Sequence, residues 1–135
     1  MGMKFLAPSV SHRFSRKASE ALTANRFVKL NATDAEKVDM CDTANDPALA
    51  VVEFDTEADA EAVLMDGGHI PIVAGTGGLS IGDRIVSDDE GRGVAIGATA
   101  TTSYNVRGIA ISEAAEDEIA MMQWAPHTTF GGNAS

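Results

Sequence analysis

The chain has 135 residues and 44% hydrophobic content, enough for one domain with its own core, yet only five Phe, one Tyr and one Trp. Its single cysteine, Cys41, can form no internal disulfide and has no second cysteine to share a metal with. The formal net charge is −10 and uneven: residues 1–30 hold six Lys or Arg against Glu20 alone, while the rest hold four against nineteen acids. An acidic body repels phosphates, which argues against nucleic-acid binding.

Residues 1–21 mix Phe5, Leu6, Val10 and Phe14 with Pro8, serines and basic residues and show no sustained period. They read as an extended basic arm that orders when it lies on another surface. A turn or two of helix is expected at most, over 15–22. From residue 22 the texture changes to short apolar runs punctuated by turn residues, the pattern of an all-β domain. Strands are expected at 26–30, 37–41, 48–54, 60–65, 69–73, 83–87, 93–97, 106–111 and 118–124. Asn45-Asp46-Pro47, Asp66-Gly67-Gly68, Gly75-Thr76-Gly77-Gly78 and Asp89-Glu90-Gly91 mark turns. Residues 125–135 read as a tail. No run approaches the ~18 apolar residues of a membrane span, and the start lacks the apolar stretch of a signal peptide. A reducing intracellular setting, or a particle assembled in one, is expected.

The two halves resemble each other. Arg26-Phe27-Val28 aligns with Arg84-Ile85-Val86, and Ala50-Val51-Val52 with Gly108-Ile109-Ala110, both at a spacing of 58. With a one-residue slip, 59–64 answers 116–121. The pattern predicts two related four-strand halves sharing one core.

Chemistry is hard to find. The string from His69 to Gly78 runs an apolar strand into a glycine-rich loop, but it lacks the lysine of a P-loop and the helix of a dinucleotide fingerprint. It reads as a strand followed by a flexible connection between the repeats. Asp55, Glu57, Asp59 and Glu61 alternate, and Asp88-Asp89-Glu90 are consecutive, but neither has the glycine and terminal glutamate of an EF-hand loop. These acids read as solvated hairpin tips. His12, His69 and His127 fall in no nucleophile motif, and Cys41 reads as a small core residue. No catalytic residue, cofactor or metal is expected.

Residues 22–124 resemble the capsid cement, or head decoration, proteins of tailed bacteriophages. The resemblance rests on Thr-Ala-Asn-Arg-Phe-Val-Lys-Leu at 23–30, Ala-Leu-Ala-Val-Val at 48–52 leading to an acidic turn, Ile-Gly-Asp-Arg-Ile-Val-Ser-Asp-Asp-Glu-Gly-Arg at 81–92, and 106–122. It implies a compact β-tulip or barrel-like domain, a homotrimer, on the outer surface of an assembled shell, tying neighbouring major capsid proteins together through an extended terminal arm. Mapped onto this chain, the arm would bind the capsid through Lys4, Phe5, Leu6, Arg13, Phe14, Arg16 and Lys17. The longer basic arm and residues 125–135 depart from the family pattern. Two other readings stay open: a β-barrel adaptor or tail-type viral component, and a small-molecule binder whose histidines and acids converge in a pocket. Circular dichroism should show a β-rich spectrum with helix below about a fifth; a helix-dominated spectrum would contradict the turn-bounded pattern.

Overall fold

The computed structural model describes residues 12–98 and 101–131. Among them there is no helix. Ten strands form: β1 (Arg13–Ala18), β2 (Arg26–Leu30), β3 (Lys37–Met40), β4 (Ala50–Val52), β5 (Glu61–Met65), β6 (His69–Val73), β7 (Arg84–Ser87), β8 (Gly93–Ala95), β9 (Ser103–Ala110) and β10 (Ile119–Phe130). All nine expected strands are present, with β4 shorter and β9 and β10 longer than their apolar runs.

The tenth strand, β1, corrects two expectations. Residues 13–18 are neither arm nor helical turn: they pair antiparallel with β5 from Arg13↔Met65 to Lys17↔Glu61, and parallel with β3 through Ala18↔Val38. The physical reason is the alternation Phe14, Arg16, Ala18 inward against Arg13, Ser15, Lys17 outward, a period of two that suits a strand once β5 is there to pair with. Residues 125–130, expected in the tail, likewise continue β10 against β9 past a register shift between Trp124 and His127.

Strand order shows that the halves have five strands each. The first closes as a barrel, β1-β3-β2-β4-β5, and the second runs β6-β10-β9-β7-β8, which is the same cyclic order. The second nearly closes too, through a parallel bridge Ala74↔Gly93 at the place where the first has Ala18↔Val38. The ladders fix the internal register. Val28 faces Ala50 as Ile85 faces Gly108, and Arg16 faces Ala62 as Ile72 faces Ala120. The spacing is therefore 58 for the fourth and fifth strands but 57 for the second, so Arg84 answers Phe27, not Arg26. The change of spacing expected near residue 59 lies instead between β7 and β9: Asp59 and Asp117, 58 apart, both adopt a φ of 68° in matching turns, a left-handed conformation that Asp tolerates better than most residues.

Two buried clusters follow from this architecture. One fills the first barrel with Ala18, Leu22, Val28, Val38, Ala50, Val52, Ala62 and Leu64. The other joins Phe27, Val51 and Met65, on the outer side of the first barrel, to Ile70, Ile72, Ile85, Ala110 and Met122 of the second unit. The junction is also hydrogen-bonded. The Val73 amide donates to Asn25, and the Phe27 amide donates to Gly91. Gly91 has φ +76°, and a Cβ there would lie 3.0 Å from the Phe27 carbonyl oxygen, so only glycine fits this close approach.

The residue after Gly91, Arg92, 8% exposed, ties the turn before β8 to the turn before β10. Its Nη1 lies 2.9 Å from Asp117 and its Nε donates to Asp88 at 2.9 Å, while Asp88 also accepts the Glu90 and Arg92 amides. Hydrogen bonding to Asp117, with the charge of Asp88, holds the guanidinium well above its ordinary pKa against the opposing effect of burial. The first unit has only Lys37–Asp59 at 3.9 Å in this place. Arg92→Met should lower stability by about 1–3 kcal/mol, because it strips the half-buried Asp88 carboxylate of its charged donor; Lys37→Met should cost under ~1 kcal/mol. Urea denaturation of both variants measures the contrast.

Candidate functional site: an apolar outer face

The chemistry candidates do not converge. The Asp66 carboxylate pairs with His12, whose ring stacks on Phe14 with centroids 6.1 Å apart; the His127 ring meets the Ala125 carbonyl at 2.8 Å; His69 starts β6. Asp55 accepts the Ala24 amide, and no group of three or more His, Cys, Asp or Glu among the described residues could hold a metal ion. The glycine-rich loop lies inside the second unit, between β6 and β7, and not between the repeats, whose connection is Asp66-Gly67-Gly68. It is packed closely. A Cβ on Gly75 would come within 2.6 Å of Val94 and 2.7 Å of the Asp88 carboxylate, and one on Gly78 within 2.6 Å of the Ala114 carbonyl. Gly75 and Gly78 thus admit neighbouring chain and side chains, whereas Gly77, with φ +90°, faces open space.

Cys41 is fully buried in the cluster between the units, and burial pushes its thiol from the ordinary 9.0 up to about 12. The folded state therefore keeps its proton after an unfolded thiol has lost it. Stability is unaffected below pH 9 and declines as pH rises from 9 toward 12.

The residues assigned to capsid binding divide. Lys4, Phe5 and Leu6 lie outside the described residues. Arg13, Phe14, Arg16 and Lys17 are brought together on β1, but on two faces. Phe14 packs against the core of the first barrel and Arg16 extends over its ring, 5.9 Å from the centroid. Arg13 donates from Nε to Glu53 at 2.6 Å, and this bond holds its guanidinium above the ordinary value. Lys17 faces outward opposite Glu61.

The surface that stands out was missed by sequence reasoning, and the duplication exposes it. On the outward face of β1, β5 and the chain after β4, the first unit carries Lys17 opposite Glu61 and Arg13 paired with Glu53. At the positions of Lys17↔Glu61 and Ser15↔Val63 the second unit carries Val73 opposite Ile119 and Pro71 opposite Met121, and at that of Glu53 it carries Ile111, whose amide bonds Met121 as that of Glu53 bonds Val63; Arg13 is answered by His69. Ile119 is 48% exposed, Ile111 41% and Met121 37%. Phe54, Ile81 and Phe130 are also exposed, but none of them lies on this ladder. Ile119 and Ile111 stand where the sister unit has Glu61 and Glu53, and with Met121 they make an exposed apolar face of the kind that docks a partner. The signal was in the sequence: in the correct register of 58, Glu53 and Glu61 are answered by Ile111 and Ile119.

In solution the Cys41 thiol should resist a colorimetric disulfide reagent at pH 8 and react in full in 8 M urea, as a core position requires.

No family model matches the chain, and no curated protein matches it. Among solved structures it is similar to the N base of head fiber gp8.5 of bacteriophage phi29, with a TM-score of 0.67 at 18% identity, over 86% of this chain and 95% of that one. At that identity the likeness establishes a shared all-β fold that extends across both units.

Proposed function

We propose that the chain is a non-enzymatic structural component of a phage head, bound as a trimer to the outer surface of the assembled shell, where it bridges neighbouring major capsid proteins. The observation that carries this reading is the exposed apolar face of Ile111, Ile119 and Met121, with Pro71 beside it, set on an acidic body. The fold likeness to a phage head-fiber base and the resemblance to head decoration proteins both support it.

The mechanism is adhesion. Whatever binds the assembled shell and not its free subunits stabilises the shell by mass action. Apolar side chains at the centre of such a contact supply most of the affinity, and basic residues such as Lys4 and Lys17 add orientation and encounter rate on an acidic partner. The acidic remainder of the surface keeps particles apart.

Co-sedimentation with emptied capsids of the encoding phage tests the reading. The wild-type chain should pellet with shells, and Met121→Lys or Ile119→Lys should weaken binding about 10- to 100-fold, the value of burying one such side chain, with an unchanged dichroism spectrum. Equal binding by the variants, or no binding by the wild type, refutes it.

A further inference from the structure

Where the two units meet, Lys29 and Leu30 at the end of β2, Pro47, Ala48 and Leu49 before β4, and Arg107 of β9 line a pocket of about 400 Å³. Leu30 is 44% exposed. We propose that this pocket anchors an acidic residue of a partner protein, its carboxylate seated on Arg107 and a neighbouring aliphatic side chain on Leu30, Pro47 and Leu49. This deepens the reading of the outer face as a docking surface, and rests on it only for the choice of a protein as occupant.

Arg107 makes the pocket a carboxylate site. Its Nε donates to the Ala48 carbonyl at 2.7 Å and its Nη1 to the Val106 carbonyl at 3.0 Å; of the five N–H groups of a guanidinium, three are left with no acceptor among the described residues. Arg13, Arg26, Lys29, Lys37 and Arg92 each have a carboxylate within 3.9 Å. Arg107 has none among the described residues, although the chain holds 20 acids to 10 bases. Lys29 is no rival for an incoming anion, because its Nζ is taken by Asp42 at 2.6 Å and Asp46 at 3.0 Å. Burial accordingly holds the Arg107 guanidinium below its ordinary pKa. A half-buried cation without a counter-charge is costly, and a carboxylate relieves that cost through short, charge-assisted hydrogen bonds to the planar fork.

The duplication and the ladder both single out this position. Since Ala50 answers Gly108, Arg107 stands where the first unit has Leu49, and the two line the same pocket. The register shifts between Trp124↔Gly108 and His127↔Val106, so that Ala125 and Pro126 together oppose Arg107. Such a bulge re-aims the side chains beside it. The pocket volume is at the small end for a ligand site, which suits one anchoring residue with its neighbour better than a cofactor. Burial alternates along β9, which puts Arg107 and Ile111 on the same side of the strand, four residues or ~13 Å apart. A protein surface laid on Ile111 therefore reaches the pocket, and this continuity selects a protein as the occupant.

The test uses the free full-length protein and three probes at millimolar concentration: acetyl-Leu-Glu-Leu-amide, its glutamine analogue and sodium acetate. The glutamyl peptide should give saturable shifts of the Arg107 Nε signal and of the Leu30 and Leu49 amides, with the glutamine analogue binding about 10-fold more weakly. Arg107→Lys, which keeps the charge and loses the fork, should weaken the peptide about 10-fold, and Leu30→Ser, at an exposed position, should weaken it with an unchanged dichroism spectrum. Absent shifts, equal binding of the glutamine analogue, or wild-type affinity in either variant overturns the proposal. Acetate binding as tightly as the peptide would assign the site to a small carboxylate, and shifts at these residues on raising the protein concentration alone would assign it to a second copy; either result also overturns it. No shell enters the experiment, so its failure and that of the co-sedimentation assay are separate results.

Discussion

The pairing of the first strand of each unit with its fifth, β1 on β5 and β6 on β10, is the contact on which the rest of the molecule stands. Each ladder joins five residue pairs across a long stretch of sequence, Phe14 to Leu64 in one unit and Ile70 to Met122 in the other. Without them each half is a four-strand ribbon with two bare edges and an uncovered apolar surface. With them the first half closes as a barrel. The second is left open only beside its Ala74↔Gly93 bridge, where Asn25 and Phe27 of the first unit supply partners for Val73 and Gly91.

A duplicated scaffold lets one copy keep the structure while the other changes. The inner positions stay small or aliphatic in both units, Ala62 and Ala120, Val28 and Ile85, Leu22 and Leu79. The outer positions have diverged in opposite directions. The first unit pairs opposite charges across its strands, which favours solvent; the second presents Ile and Met. Arg16 is the inner exception: it stands where the second unit has Ile72 and keeps its Nε buried, with no hydrogen-bond partner among the described residues.

Most of the fold was legible in the sequence because β-strands announce themselves by short apolar runs between Gly, Asn and Asp, and the nine expected strands have them. β1 was not, since Arg13-Phe14-Ser15-Arg16-Lys17-Ala18 holds one strong apolar residue and takes its strand character from β5, whose paired residues are 44 or more positions away. The repeat was visible, but its register came out one residue wrong in β7 because Arg26 and Arg84 look alike while the ladder aligns Arg84 with Phe27. A second slip, which matched 59–64 with 116–121 where the ladders align Glu61 with Ile119, hid the outer face, since a one-residue shift exchanges the two sides of a strand.

The connection Asp66-Gly67-Gly68 has a consequence for how the chain reaches this state. β5 and β6 flank it directly, with glycines at the tip and alternating apolar residues on either side, which is the makings of a local hairpin. In the native structure the two strands do not pair; each is committed to a distant partner. The short loop closes at lower entropic cost than the pairing of β1 with β5. β6 would also lay Ile70 and Ile72 where β1 must put Phe14 and Arg16, a more apolar match for Leu64 and Ala62 than the native one. In the native fold β5 lies between β1 and β4, and the edge of β6 that would meet it is not free while β10 and the Asn25 contact hold, so closing the two units is what keeps this hairpin from forming.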